Sequence, residues 1–270
     1  NPKQFVSTNS PLDLIHMDLC GPMRVQSRGG NRYIFVLVDD YTRYTWTLFL
    51  KSKDQAFASF SSLVPLIENA CKSKLRTIRS DNGLEFVNSQ FVEFCKERGI
   101  DHNFSAPRTP QQNGVVERKN RTLEDMARTM LLSSKLPQSY WAQVVDTSCY
   151  IINRAMLRPL LNKTPYELIK GRTPNLSHLR VFGCSCYIHN NGKDPLGKFD
   201  ARADEGTFLG YSSRSKAYKV LNHRTGKVEE SIHVKFNEST NPLPQEAQHN
   251  EEFEIPMQPQ VNSTTSDQDD

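Results

Sequence analysis

The spacing of apolar and polar positions predicts three strands in the first part of the chain. Residues 12–20 (LDLIHMDLC) predict a strand that Gly21-Pro22 ends. The run 33–38 (YIFVLV) is short, β-branched and aromatic, which is typical of a buried strand. Extended character resumes over 45–50. Because the connections are short, these strands predict a meander.

Beyond the meander, helical and extended spacing alternate. The pattern predicts helices over 54–72, 89–98, 115–134 and 137–154, and short strands over 75–79 and 101–104. Asn88 or Ser89 is expected to cap the second helix, and Gly99 to end it. Three strands, helix, strand, helix, strand, helix is the order of the ribonuclease H-like fold. The predicted class is therefore α/β, with a mixed five-stranded sheet and flanking helices.

After about residue 175 the pattern becomes that of a small all-β unit. Short strands are predicted over 179–188, 205–211, 217–221 and 228–236. Turn residues separate them, and so many short strands in so few residues predict a small β-barrel over 176–236. The segment 237–270 is rich in Gln, Asn, Pro and acids, so we expect it to be disordered.

Charge is distributed unevenly along the chain. The formal net charge is +4, but residues 237–270 contain eight acids and no Lys or Arg. The remaining 236 residues therefore carry 34 basic and 22 acidic side chains. A basic body suits a polyanionic partner. No apolar run reaches the ~18 residues of a membrane helix, and no secretory signal opens the chain, so we expect neither a membrane partner nor secretion.

The cysteines do not suggest a zinc site. Six occur, at positions 20, 71, 95, 149, 184 and 186, without a C-x-x-C pair and without a histidine cluster beside them. Most lie in apolar stretches, which indicates buried free thiols in a reducing compartment.

Three acids stand where phosphoryl-transfer chemistry would need them. Asp18 interrupts an apolar strand, where a charge is costly unless it is paired or binds a metal. Asp81 follows the short fourth strand, and Glu117 lies in the first turn of a long helix, where free N–H groups favour an anion. Transfer within DNA requires an activated oxygen and charge neutralisation at phosphorus. Two Mg²⁺ ions held by carboxylates supply both.

Long motifs surround these acids. They read HMDLCGP, VDDYTRY, IRSDNGLEF and SAPRTPQQNGVVERKNRTL. Together they resemble the integrase core of Ty1/copia-type retrotransposons, and the 35 residues between Asp81 and Glu117 match the D,D(35)E spacing of retroviral-type integrases. The resemblance covers about residues 10–155 and extends to about 237 for the barrel, and it implies that this barrel is SH3-like.

The resemblance implies a function and a site. Asp18, Asp81 and Glu117 would be the catalytic, metal-binding triad, with two Mg²⁺ (or Mn²⁺) ions and no zinc. The reactions would be 3′-end processing and strand transfer of element DNA into target DNA. The partner would be double-stranded DNA, the enzyme a homo-oligomer, and its place of action the nucleus after assembly in cytoplasmic virus-like particles.

The resemblance also suggests a domain order within a longer polyprotein. In this order, a linker over 1–10 precedes the catalytic core with a helical extension over 11–175. The barrel over 176–236 and the acidic tail over 237–270 follow.

Neighbouring polar residues are candidates for DNA contact. Asn120 and Arg121 lie three and four positions after Glu117, on the same helix face. The preceding loop, 105–114, is rich in hydrogen-bond donors and contributes Arg108, Gln112 and Asn113. Several cations of the barrel are also expected to contact phosphate.

Other acids and one histidine are ambiguous. Asp39 and Asp40 could supplement the site or form a turn, and Glu85 is similarly open. His16 shares the strand face of Asp18, where it could donate a hydrogen bond or be a core histidine.

Two other functions fit part of the pattern. One is a ribonuclease H-type nuclease, which uses the same fold and metals but not the D,D(35)E spacing. The other is a non-catalytic DNA-binding or assembly segment of a decayed element.

Overall fold

The computed structural model describes residues 8–105, 113–190, 197–199 and 201–238. Its strands are β1 (Ile15–Cys20), β2 (Tyr33–Asp39), β3 (Thr45–Leu50), β4 (Thr77–Ser80), β5 (Asp101–Phe104), β6 (Ser185–His189), β7 (Ala203–Tyr211), β8 (Tyr218–Asn222), β9 (Val228–Ser231) and β10 (Val234–Asn237). Its helices are α1 (Gln55–Cys71), α2 (Ser89–Arg98), α3 (Gly114–Ser134), α4 (Trp141–Ala155) and α5 (Pro165–Lys170). Among these helices none is long and apolar enough to cross a membrane.

The first sheet has the strand order β3-β2-β1-β4-β5. The strands β1, β2 and β3 form the predicted antiparallel meander, and β4 and β5 add in parallel to β1. Since β1 and β4 are parallel, with Ile15 opposite Ile78, their carboxyl ends lie at the same end of the sheet.

The meander residues alternate between two apolar layers. On β2, Phe35 and Leu37 pack in the cluster that contains residues of α1 and α2. Val36 and Val38 pack on the opposite face, in the cluster that contains residues of α3 and α4. The same alternation on β1 places Met17 in the first cluster and therefore turns Asp18 toward α3.

The second sheet is antiparallel, with the order β10-β6-β7-β8-β9, and packs directly on α4. Leu209 of β7 and Phe182 lie in the same apolar cluster as Val144 of α4. Tyr211 stacks on Tyr150, with ring centroids 4.2 Å apart. Lys219 forms an ion pair of 2.8 Å with Asp146. The small β unit is thus attached to the core by shared apolar packing as well as by polar contacts.

Two strand predictions in this unit are wrong in detail. Only Ser185–His189 of the expected strand 179–188 is extended, because Gly183 turns with φ 79° and the N–H of Cys184 returns to the carbonyl of Val181. The expected single strand 228–236 is two strands. Its first half pairs with β8, whereas its second half pairs with β6.

The helix predictions need smaller changes. The segment 137–154 begins with a 3-10 turn, Gln138–Tyr140, and becomes α-helical at Trp141. The helix α5 was not predicted, although Thr164 and Glu167 form a capping box at its start. The cap Asn88 and the stop Gly99 of α2 are confirmed. The expected tail lies outside the described residues from 239 onward, and the proposed domain boundaries remain predictions.

Candidate active site

Asp18 is held by two donors on the α3 side of β1. Its Oδ1 accepts the N–H of Leu19 at 2.9 Å, and its Oδ2 accepts the side-chain amide of Asn120 at 2.7 Å. These hydrogen bonds orient the carboxylate but leave it without a cationic partner. A strand position and a helix position 102 residues apart are thus joined at one side chain.

Asp81 directly follows β4 and is level with Asp18. The register pairs His16 with Arg79, so two further residues along each strand bring Asp18 beside Asp81. The Oδ1 atom of Asp81 accepts the N–H of Gly83 at 3.1 Å, which fixes the carboxylate in the turn after the strand. The sheet topology therefore produces the pairing of the two aspartates.

Glu117 lies in the first turn of α3, and its side chain is exposed. The helix packs against β1 and β2, and Asn120, three residues after Glu117, contacts Asp18, so the start of α3 lies on the Asp18 side of the sheet. The unpaired N–H groups of that turn favour a carboxylate there.

The three acids act on one another electrostatically. Burial, followed by the negative charge of Asp81 and, more weakly, that of Glu117, raises the pKa of Asp18 to about 6. None of the three carboxylates has an ion-pair partner in the described ranges. Uncompensated acids in electrostatic reach of one another are the arrangement that a cation would relieve.

Asp18, Asp81 and Glu117 do not form a closed metal-binding site in this structure. Within the residues that it describes, no three His, Cys, Asp or Glu side chains are grouped closely enough to hold an ion together. The register places Asp18 beside Asp81, and one convergent site of all three acids remains a prediction. The final approach of the ligands is not seen.

Asn120 supplies a second sign that the site fits a hard cation. Its Oδ1 is buried and has no hydrogen-bond partner, although the same amide donates to Asp18. A buried acceptor without a partner is rare in native proteins and calls for a donor or an ion. An oxygen atom of this kind next to carboxylates matches the ligand preference of Mg²⁺.

The residues that were expected to contact DNA differ in their exposure to solvent. Asn120 lies in the buried seam of α3 and donates a hydrogen bond to Asp18, so its side chain does not face the surface. Asn113 is 5% exposed, so its side chain does not face the surface. Arg121 is exposed, as a DNA contact requires. Arg108 and Gln112 lie outside the described residues.

The residues that the sequence left ambiguous are mainly structural. Asp39 accepts hydrogen bonds from the N–H groups of Leu12 and Thr42 and from the Thr42 hydroxyl. Asp40 contacts His16 at 3.0 Å and Arg43 at 2.6 Å. Since Asp39 pairs with the first residue of β1, this network lies at the opposite end of the sheet from Cys20 and the acids.

Glu85 lies close to Asp81 but has its own cation. It forms an ion pair of 3.1 Å with Lys53. A Cβ atom at Gly83 would meet the Glu85 carboxyl at 2.8 Å and Asp81 Oδ1 at 3.1 Å, so the glycine permits both acids to pack in this turn.

Cys20 is a neighbour of the site that sequence reasoning missed. Its Sγ lies 4.0 Å from Oδ2 of Asp18. The two-residue spacing on a strand was the available signal, because it places both side chains on one face. Burial, with the charges of Asp18 and Glu124, raises the thiol pKa well above its ordinary value, so the thiol stays protonated near neutral pH.

Comparisons with known proteins identify the family of each of the two units. The integrase core domain family matches residues 8–110, and the retroviral polymerase SH3-like domain family matches residues 184–250. The Pol polyprotein of transposon TNT 1-94 from Nicotiana tabacum is 40% identical over 228 residues, which are 84% of this chain and 17% of that protein. The Pol polyprotein of transposon RE1 from Arabidopsis thaliana is 35% identical over 238 residues, which are 88% of this chain and 16% of that protein.

A solved structure supports the fold across both units. The simian T-cell lymphotropic virus intasome, solved in complex with PP2A regulatory subunit B56 gamma, superposes with a TM-score of 0.51 at 14% identity. The match covers 86% of this chain and 85% of the chain compared. The mixed sheet with its helices is thus a ribonuclease H-like integrase core, and the antiparallel sheet is an SH3-like unit. The chain belongs to the Ty1/copia-type retrotransposon integrases, as an integrase core followed by a retroviral SH3-like domain.

Proposed function

We propose that this chain catalyses metal-dependent 3′-end processing and strand transfer of element DNA. The observation that carries the proposal is the set formed by Asp18, Asp81 and Glu117. Three separate elements bring these acids to one end of the sheet, and none of them has an ion-pair partner in the part of the chain described.

The same three carboxylates would hold divalent metal ions. Two bound Mg²⁺ ions would supply activation of the attacking oxygen and neutralisation of charge at the phosphate. Asn120 and the N–H of Leu19 keep Asp18 oriented, and the N–H of Gly83 keeps Asp81 oriented. Glu117 is exposed and free to approach when DNA and metal are present.

The chemistry is a displacement at phosphorus without a covalent enzyme intermediate. In processing, a water oxygen loses its proton and bonds to phosphorus as the bond to the 3′ oxygen breaks. In strand transfer, the processed 3′-hydroxyl is the attacking group, and a 3′ oxygen of the target leaves. Cys20 does not compete as a nucleophile, because its neutral thiol reacts poorly.

The partners follow from the reaction. The substrate is double-stranded DNA, both as element ends and as target. Joining two ends of one element requires two active sites, so we propose a homo-oligomer, measurable by sedimentation of the chain with and without DNA. We also propose action in the nucleus, where chromosomal target DNA is found, after assembly in cytoplasmic particles.

A strand-transfer assay tests the function directly. The full chain, a labelled duplex end and a target plasmid are incubated with Mg²⁺ or with chelator. We expect metal-dependent joined products from the wild type and none from Asp18→Asn, Asp81→Asn or Glu117→Gln. We also expect Mg²⁺ to raise the melting temperature of the wild type but not of Asp81→Asn.

The control and the contrary outcomes are well defined. Asp125→Asn removes an exposed acid from the same helix α3, and it should retain activity. Normal joining by any triad variant would refute the assignment. Cleavage of an RNA–DNA hybrid without joining would favour the ribonuclease H alternative. DNA binding without either reaction would favour the non-catalytic alternative.

A further inference from the structure

The connection between β1 and β2 is a basic, well-anchored loop. Residues 21–32 contain three arginines, Arg24, Arg28 and Arg32, and no acid. The loop is fixed to the start of α4, because the N–H of Arg28 donates to Ser139 and the indole of Trp141 donates to the carbonyl of Val25 at 2.9 Å each. Its arginines are therefore presented by an ordered scaffold.

The turn between β8 and β9 carries further basic charge and meets this loop. Residues 222–228 contain Arg224 and Lys227 and no acid. The guanidinium of Arg28 donates to the carbonyl of Gly226 at 3.5 Å. This contact joins residues 198 positions apart and brings the core loop and the SH3-like unit together.

Lys51, which directly follows β3, is a further cation next to the β1–β2 loop. A Cβ atom at Gly30 would lie 3.8 Å from its Cε, so the lysine side chain extends along the loop. We call the whole set the composite basic surface, and its members are Arg24, Arg28, Arg32, Lys51, Arg224 and Lys227. All six side chains are exposed.

Little of this charge is neutralised internally. Arg224 pairs with Asp204 at 2.8 Å. Arg24, Arg32, Lys51 and Lys227 have no acidic partner within the described ranges. Solvent-facing cations that outnumber the acids beside them are the electrostatic pattern of a polyanion site.

The composite basic surface lies at the active-site end of the sheet. The loop leaves β1 at Cys20, two residues after Asp18, and enters β2 at Tyr33. Lys51 directly follows Leu50, the partner of Tyr33, so β3 also ends there. The composite basic surface and the strand ends that carry Asp18 and Asp81 therefore lie at the same end of the sheet.

We propose that the composite basic surface binds the phosphate backbone of duplex DNA across the junction of core and SH3-like unit. The identity of the partner rests on the proposed function. The placement rests on the Arg28–Gly226 contact and on the absence of acids in both segments. Lys219, another cation of the SH3-like unit, pairs with Asp146 at the junction and is not part of the surface.

The contacts are to phosphate rather than to bases. The cations come from the β1–β2 loop, the end of β3 and the tip of the β8–β9 hairpin, and no described helix contributes to the surface. Phosphate contacts release condensed cations, so each one adds about 0.9 to the magnitude of the salt slope of duplex binding. Binding on this surface is therefore strongly salt-dependent and insensitive to sequence.

The test compares two charge-reversal pairs in the full chain. Arg24→Glu/Lys227→Glu takes one cation from each segment of the surface. Lys96→Glu/Lys163→Glu makes the same change in net charge at exposed residues of α2 and of the turn before α5. Duplex affinity is measured in chelator at several salt concentrations, so that turnover does not interfere.

We expect the surface pair to lose at least ~10-fold in duplex affinity near 0.1 M salt, and about 1.8 in slope magnitude for two lost contacts. The control pair should lose much less of both. Equal losses in the two pairs, or an unchanged slope in the surface pair, would overturn the proposal. So would a loss confined to single-stranded DNA.

Strand transfer by the wild type, assayed separately with Mg²⁺, keeps the two hypotheses apart. If the wild type joins DNA and the surface pair binds duplex DNA as the wild type does, only the binding surface is refuted. Absence of joining together with the expected loss of slope refutes the proposed reaction and leaves the surface standing.

Discussion

At the residue scale, Asn120 is the side chain whose removal is most informative. Asn120→Ala deletes the amide that donates to Asp18 at 2.7 Å. Hydrogen bonds to charged groups contribute ~1.5–3 kcal/mol, so we expect strand transfer to fall by roughly 10- to 100-fold at limiting Mg²⁺. The Mg²⁺ concentration for half-maximal activity should rise.

A purely structural role for Asn120 would predict a different result. It would lower the melting temperature and the amount of active enzyme, without changing the dependence on Mg²⁺. Thr129→Ala, an exposed change on the same helix, is the control and should alter neither quantity.

His102 gives a pH-dependent prediction at the same scale. Burial lowers its pKa to about 4, and its Nε2 lies 3.0 Å from the Ser80 hydroxyl. The unfolded chain takes up this proton near pH ~6.5, whereas the folded chain does not, so the contribution of His102 to stability is lost as pH falls from 6.5 toward 4. Urea unfolding at pH 7 and pH 5 should show a smaller loss for His102→Gln than for the wild type. An equal loss would contradict this account.

The sequence identified residues whose chemistry is unusual for their position. Asp18 was recognisable because a charge in an apolar strand needs a reason, and Asp81 and Glu117 because of their places in the elements. Asn120 was assigned to DNA because three-residue spacing from Glu117 suggested a common face. The seam formed by Val116, Leu123 and Ala127 includes Asn120, and only packing shows that this seam faces the sheet.

At the element scale, the contact between β7 and α4 depends on a glycine. Gly210 has φ 134°, and a Cβ there would lie 2.4 Å from the Thr147 hydroxyl. We expect Gly210→Ala to cost ~1–3 kcal/mol from overpacking, in addition to backbone strain. The free energy of unfolding in urea measures the loss.

A matched glycine separates strain from steric conflict. Gly226 also has a positive φ, 66°, but no atom lies within 4 Å of its Cβ position, so Gly226→Ala should cost only ~1 kcal/mol. In a double-mutant cycle, Thr147→Ala should recover part of the Gly210→Ala loss. Strict additivity would show that the Thr147 hydroxyl is not the obstacle.

Elements with strong local sequence signals were predictable. Elements whose bounds depend on which strand they pair with were not. The helix α2 had both its cap and its stop in the sequence. The strands β9 and β10 looked continuous because their residues are alike, yet they pair with different neighbours. The turn at Gly183 follows from its close approach to Ser134, a tertiary contact that no local pattern indicates.

At the scale of the whole molecule, the SH3-like unit is part of the core packing. Leu209 and Phe182 share an apolar cluster with Val144 and Ile152 of α4. A chain truncated after residue 175 therefore uncovers apolar surface, and we expect it to aggregate, as measured by light scattering. A soluble, monodisperse fragment with an unchanged melting temperature would show that the packing is dispensable.

The acidic segment gives a second prediction at this scale, based on its charge. Residues 239–270 contain seven acids and no Lys or Arg, so they oppose binding of a polyanion. Deleting them should raise duplex affinity at low salt and have little effect at high salt, where charges are screened. Titration of both chains against a short duplex checks this, and a lower affinity of the shortened chain would contradict it.

The junction between core and SH3-like unit has a consequence for where DNA is cut. The Arg28–Gly226 contact and the hydrogen bond from Thr147 to the carbonyl of Leu209 attach the SH3-like unit, with its part of the composite basic surface, to the core that carries Asp18. Phosphates recur every ~3.4 Å along one strand of a duplex, so DNA seated on that surface offers its bonds to the acids only in whole-nucleotide steps. In the proposed reaction, the composite basic surface therefore determines which phosphodiester bond of the bound DNA is cut. An insertion that displaced the anchored loop would shift the cut by a whole number of nucleotides. It would not spread the cut over several positions.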